Sequence, residues 1–204
     1  RMMRIMNVRL FNYKFQAFIR KSLVESFNNC NVLGISKENQ RFGHWAIEEK
    51  ILALLDFRSN KYCDMNFHMG FIKIPNKNKL INPIAEEIIN NQKIGIISHC
   101  EVENFLNHYN SQVIIRIEIP KRRANFQRMT RKKYDVVLSE IKKYCSLVDI
   151  WLVAAGIYAK PFCEYIRQNG GIGIDIGSSM DSWINEYHSR GHLRRLASEH
   201  NEES

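Results

Sequence analysis

Four apolar runs, rich in β-branched residues, frame this chain: "KIGIISHC" (93–100), "QVIIRIEIP" (112–120), "VDIWLVAAG" (148–156) and "GIGIDIG" (171–177). Continuous apolar runs of this length suit strands buried on both faces rather than strands with one wet face. Each is followed by a segment with helical spacing: "VENFLNHYN" (102–110), "KKYDVVLSEIKKYC" (132–145), "YAKPFCEYIRQNG" (158–170) and "SMDSWINEY" (179–187). Strand–helix alternation demands right-handed crossovers, hence an α/β fold with a mostly parallel sheet and helices on both faces.

The first half is less regular. "LFNYKFQAFIRKSLVESFNN" (10–29) places Phe11, Phe15, Phe18, Ile19 and Leu23 near helical spacing, and "NVLGIS" (31–36) reads as a short strand. "HWAIEEKILALLDF" (44–57) reads as a helix, while "CDMNFHMGFIKI" (63–74) fits either strand or loop. "NPIAEEIINN" (82–91) opens with Asn82 as a cap and Pro83 at the first helical position. The 204 residues suit one domain over 1–197, with a polar tail, "SEHNEES", from Ser198 to Ser204.

No apolar run reaches about 18 residues, which argues against a membrane-spanning helix. "RMMRIMNVRLFNYKF" has no apolar stretch leading to a small-residue cleavage site, so it does not read as a secretory signal. The five cysteines, Cys30, Cys63, Cys100, Cys145 and Cys163, form no CxxC or other zinc spacing and read as free thiols of a reducing compartment. The net charge of +9 is concentrated: from Arg116 to Lys143 there are ten Lys/Arg and three Asp/Glu, a local +7. Such a segment attracts phosphorylated ligands, polyanions or anionic headgroups, or serves only as a solvated face. Only Phe126 interleaves the charges of 121–133, and no helix-turn-helix, RRM or zinc-finger pattern accompanies them, which argues against nucleic acid.

Ligands of parallel α/β sheets bind beyond the carboxyl ends of the strands. The informative loops therefore follow Gly34, His99, Pro120, Gly156 and Gly177. At Gly156 a strand meets a helix, with Lys160 four residues on, a setting in which backbone amides can approach a phosphate. Asp175 lies inside an apolar strand, where a carboxylate needs a bonded partner or a ligand. It either caps the turn of Gly177, Ser178 and Ser179 or faces a ligand. Asp181 lies just past that turn, and Trp183 either packs on a ring or fills the core. His99, at a strand end, suits contact with a phosphate or an acceptor, or a structural role. His44 and Glu48 share a helical face, but no further ligand-rich segment joins them. "IDIGSS" also resembles the S-adenosylmethionine loop DxGxG, but Ser179 replaces its second glycine. Only 27 residues follow Gly177, whereas that loop normally follows the first strand of its fold.

"WLVAAGIYAKPFCEYIRQNGGIGIDIGSSMDSW", followed by "SRGHLR", resembles the C-terminal signature of the GT-D-type glycosyltransferases. There a small-residue turn (here Ala154-Ala155-Gly156) precedes a helix beginning near Lys160. A Gly-Gly pair then leads into "DIGS" and "DxW" (Asp175–Ser178 and Asp181–Trp183), with an arginine, Arg190, beyond. "NVLGIS", "FHMGF" (67–71) and "IIRIEIP" are similar to further segments of that family. Its N-terminal acidic segment, R-[YF]-G-D-G-E, is not found; the nearest string is "RFGHW" (41–45).

The resemblance implies a Rossmann-like GT-D domain that moves a sugar from a nucleotide-sugar donor to a glycan or lipid-linked acceptor in bacterial polysaccharide assembly. It implies a cytoplasmic location or one at the inner membrane surface, with 121–133 against anionic lipid. A divalent cation, manganese or magnesium, is a further expectation. Gly156, Lys160, Gly177, Ser178, Ser179, Trp183, Arg190 and His99 are the expected donor contacts. Asp181 is the first candidate for general base and Asp175 the second. Two rivals stay open: a degenerate domain that binds a nucleotide sugar or a partner without turnover, and a basic nucleic-acid-binding module.

Overall fold

The computed structural model describes residues 13–35, 61–64, 66–121 and 129–201. The helix expected over 44–57, "RFGHW", the His44–Glu48 pair and Phe126 of the basic loop lie outside them.

Six strands are present among the described residues. β1 (Leu33–Ile35) and β2 (Tyr62–Asp64) pair in parallel as a two-stranded sheet. β3 (Lys93–Ser98), β4 (Gln112–Glu118), β5 (Ile150–Val153) and β6 (Gly173–Asp175) form an all-parallel sheet in the order β4-β3-β5-β6. The helices are α1 (Tyr13–Asn29), α2 (Pro83–Ile89), α3 (Glu103–Leu106), α4 (Arg131–Tyr144), α5 (Ala159–Gln168), α6 (Ser179–Trp183) and α7 (Gly191–Asn201). The chain is thus α/β with helices on both faces of a parallel sheet, as the strand–helix alternation predicts.

Side chains of the sheet alternate between two cores, as a period of two requires. Ile97, Ile117, Trp151 and Val153 pack with Phe15 and Ile19 of α1, Tyr134, Val137 and Ile141 of α4, and Phe162 and Ile166 of α5. Ile94, Ile96 and Leu152 pack with Ala85 and Ile89 of α2, Phe105 and Leu106 of α3, and Met180 and Trp183 of α6. Gly95 permits a close approach: a Cβ there would lie 2.5 Å from the ring of Trp151, which is fully buried.

Capping places the helix starts. The Asn82 side chain accepts from the Ile84 amide at 2.9 Å, with Pro83 following, and Thr130 Oγ1 accepts from the Lys133 amide at 3.2 Å. α5 stops at Asn169-Gly170, where Gly170 takes φ +82°. The ambiguous segment after β2 becomes a 3-10 helix, Phe67–Phe71. α7 runs through Ser198 to Asn201, so the polar tail expected from Ser198 begins inside a helix. All five cysteines are free. No helix among the described residues is long and apolar enough to cross a membrane.

Candidate functional site

The parallel register brings four strand ends to one rim. Ser98 lies beside Glu118, Ile97 beside Val153, and Val153 beside Asp175. The turns that follow β5 and β6 therefore open side by side. Both bend at a glycine in the left-handed region, Gly156 at φ +59° and Gly177 at φ +54°, where a side chain would be strained.

Lys160, in the first turn of α5, reaches across to β6. Its Nζ lies 2.7 Å from Asp175 Oδ2, while Asp175 Oδ1 accepts from the Gly177 amide at 3.0 Å. This answers the cost of a carboxylate in an apolar strand: both oxygens are bonded, one to a cation and one to its own turn. The pair remains partly open to solvent, with side-chain exposures of 43% and 26%.

α6 is fixed by the segment after β2. Ser179 Oγ donates to the His68 carbonyl, Trp183 Nε1 donates to the Phe71 carbonyl at 2.6 Å, and the Lys73 amide donates to Ser182 Oγ at 2.8 Å. Trp183 is buried, its ring 4.8 Å from that of Phe105 in the core. Ser179 is likewise buried, with its hydroxyl engaged, whereas Ser178 is half-buried at the turn.

This anchoring carries Asp181 to the end of β3. Asp181 is only 6% exposed; its Oδ2 accepts from Ser189 Oγ at 2.7 Å and its Oδ1 lies 3.7 Å from His99 Nε2. Cys100 Sγ completes the group, 3.5 Å from His99 Nε2 and 3.7 Å from Asp181 Oδ1. Burial lowers the His99 pKa and outweighs the attraction of Asp181; Lys121 and Arg190 push the same way as burial. Burial therefore favours the uncharged imidazole. Burial pushes the Cys100 thiol up to about 12, against the hydrogen bond from the Ser98 side, so the thiol keeps its proton. Arg190 opposes protonation of both His99 and His192. Lys121, three residues past β4, bonds Glu186 at 2.7 and 2.9 Å.

The rim thus gathers Gly156, Lys160, Asp175, Gly177 and Ser178 at one place, and His99 and Asp181 at another. A shallow hollow lined by Asn185, Tyr187, His188, Arg194, Ala197 and Ser198 involves none of them. Sequence reasoning missed Cys100, Ser189 and His192. Cys100 follows His99 directly, and a Cys beside a His at a strand end was a usable signal; Ser189 and His192 had none.

The model of the GT-D fold-like domain matches residues 15–183, which spans both the rim and its anchors. The chain belongs to this GT-D-like family. Solved structures share the fold of this GT-D-like domain. One, a selenomethionine-substituted structure of domain of unknown function 1792, superposes with a TM-score of 0.55 at 14% identity, covering 82% of this chain and 65% of its own. Another, described as a new glycosyltransferase with that same domain from Streptococcus sanguinis, gives 0.54 at 13% identity, covering 90% of this chain and 74% of its own. No curated protein matches by sequence.

Manganese and magnesium prefer oxygen ligands. Among the described residues of the GT-D-like domain, the group of three metal-ligating side chains is His99, Cys100 and Asp181. A nitrogen, a sulfur and one carboxylate do not suit either ion.

Proposed function

We propose that this domain is a glycosyltransferase that takes a sugar from a nucleotide-activated donor and passes it to a hydroxyl of a glycan or lipid-linked acceptor, in bacterial polysaccharide assembly. The observation that carries the reading is the pair of left-handed glycine turns, Gly156 and Gly177, adjacent on one rim with Lys160 between them. Amides of those turns and Ser178 receive the diphosphate, and Lys160, with Arg190 beyond, balances the charge on the departing nucleotide. Asp175 holds Lys160 and the turn in place. Asp181, with His99 beside it, takes the proton of the acceptor hydroxyl. The basic segment 121–133, within a stretch of local charge +7 from Arg116 to Lys143, supports contact with an anionic acceptor or the inner membrane surface.

The test is calorimetric titration of the full chain with a panel of nucleoside diphosphates and their sugars, with and without manganese, paired with a donor-hydrolysis and transfer assay. Binding and turnover are expected, and Lys160→Ala should weaken diphosphate binding by roughly 10- to 100-fold, the worth of one charge-assisted hydrogen bond. No binding to any member of the panel overturns the reading. A second reading, a domain that holds a nucleotide sugar without turnover, is favoured by the burial of Asp181 and the bond that already occupies its Oδ2. It predicts binding with neither hydrolysis nor transfer.

A further inference from the structure

Three ligand atoms of different chemistry converge where the end of β3 meets α6. His99 Nε2, Cys100 Sγ and Asp181 Oδ1 form a triangle with edges of 3.5, 3.7 and 3.7 Å. A tetrahedral zinc ion bonds sulfur at about 2.3 Å and nitrogen or oxygen at about 2.0–2.1 Å, so its ligands stand roughly 3.3–3.6 Å apart. The triangle already has nearly those dimensions. We propose that His99, Cys100 and Asp181 form a binding site for a thiophilic divalent ion of the zinc class, with a fourth position left for a non-protein ligand.

The donor set selects the metal. A thiolate, an imidazole and a carboxylate favour zinc or cobalt(II) over magnesium or manganese. The surroundings hold two of the three ligands, Asp181 and Cys100, in place. Asp181 Oδ2 accepts from Ser189 Oγ at 2.7 Å, which turns Oδ1 toward the group, and the Cys100 amide donates to Ser98 Oγ at 3.0 Å. Asp181 is also tied through its backbone, its amide to the Ser178 carbonyl at 3.1 Å and its carbonyl to the Glu186 amide at 2.9 Å. Cys100 and Asp181 are buried, and the His99 side chain keeps 19% exposure, so an ion enters past the imidazole. Uptake displaces the thiol proton of Cys100 to solvent and forms the metal–sulfur bond, with no change of oxidation state.

The site stands on this geometry and does not rest on the transferase reading. The two meet in one consequence: an ion at Nε2 and Oδ1 takes the lone pairs that transfer assigns to the acceptor's proton, so metal loading and transfer oppose each other.

Cobalt(II) titration of the chelator-treated full chain tests the site. One equivalent is expected to produce an intense thiolate-to-cobalt charge-transfer band in the near ultraviolet, bleached by zinc. The band should vanish in Cys100→Ser and persist in Cys63→Ser. Ser189→Ala, which leaves all three ligands in place, should lower affinity about 10- to 100-fold. Far-ultraviolet circular dichroism checks the fold of each variant, and Cys100→Ala replaces Cys100→Ser should the latter not fold. A missing band, or one that survives loss of Cys100, overturns the site. Because the band is read without any sugar or nucleotide, its failure is distinct from a failure of transfer.

Discussion

His192 carries a buried ring nitrogen, Nε2, with no hydrogen-bond partner among the described residues. Burial lowers its pKa; His68 and Arg190 push the same way, and Asp181 opposes them. The sign of the linkage follows. The folded pKa lies below the unfolded value of about 6.5, so the unfolded chain takes up the proton first as pH falls. The stabilisation from a neutral His192 is complete above that value and is lost below it. His99, lowered by burial as well, adds an effect of the same sign. Thermal melts at a series of pH values should show Tm dropping from pH 7 to pH 5.5. His192→Phe, which keeps a ring and cannot titrate, should flatten that drop. Identical slopes in the two proteins would remove His192 as a cause.

At the scale of the element, capping makes the clearest prediction. Thr130 Oγ1 satisfies an amide at the start of α4, the helix that supplies Tyr134, Val137 and Ile141 to one core. Thr130→Ala should cost about 1 kcal/mol in denaturant unfolding, and Thr130→Asp, which keeps an acceptor oxygen, should recover most of it. Equal stability of all three proteins would mean that the cap contributes nothing. The caps at Asn82 and Asn169-Gly170 were legible in the sequence because the signal lies in the capping residues themselves. The turns at Gly156 and Gly177 were legible for a related reason: an apolar run announces the strand, and its length places the rim. The segment 67–73 was not. A 3-10 helix has neither a period of 2 nor one of 3.6, and its hold on α6 runs through the carbonyls of His68 and Phe71 and the amide of Lys73, which any residue supplies. The group around Asp181 was only half legible. His99 and Asp181 were each marked by a strand end, but their meeting, and the part of Cys100, depend on how α6 is anchored. Read one by one, the five cysteines are free thiols; Cys100 gains its interest from its neighbour His99 together with a partner 81 residues away.

Across the whole molecule, one sheet serves two cores and carries the rim at its carboxyl edge. β3 and β5 lie at the centre of the order β4-β3-β5-β6, and their side chains alternate between the cores. A disturbance between these two strands should therefore be felt on both faces. Gly95 offers the handle, because a Cβ there would meet the Trp151 ring at 2.5 Å and that ring is fully buried. Gly95→Ala should destabilise the fold by about 1–3 kcal/mol, the range of an overpacked core. Native-state hydrogen exchange gives the decisive readout. In the wild type the slowest amides should be those of β3 and β5, with α7 exchanging faster. In Gly95→Ala, protection should fall by the same free energy in α4, which packs on the Trp151 face, and in α2, which packs on the opposite face through Ala85 and Ile89. Equal losses mean that both cores and the rim between them unfold as one unit, so the paired turns at Gly156 and Gly177 are held by the full stability of the domain. Loss confined to α4 would show that the two faces open separately and that the rim rests on only one of them.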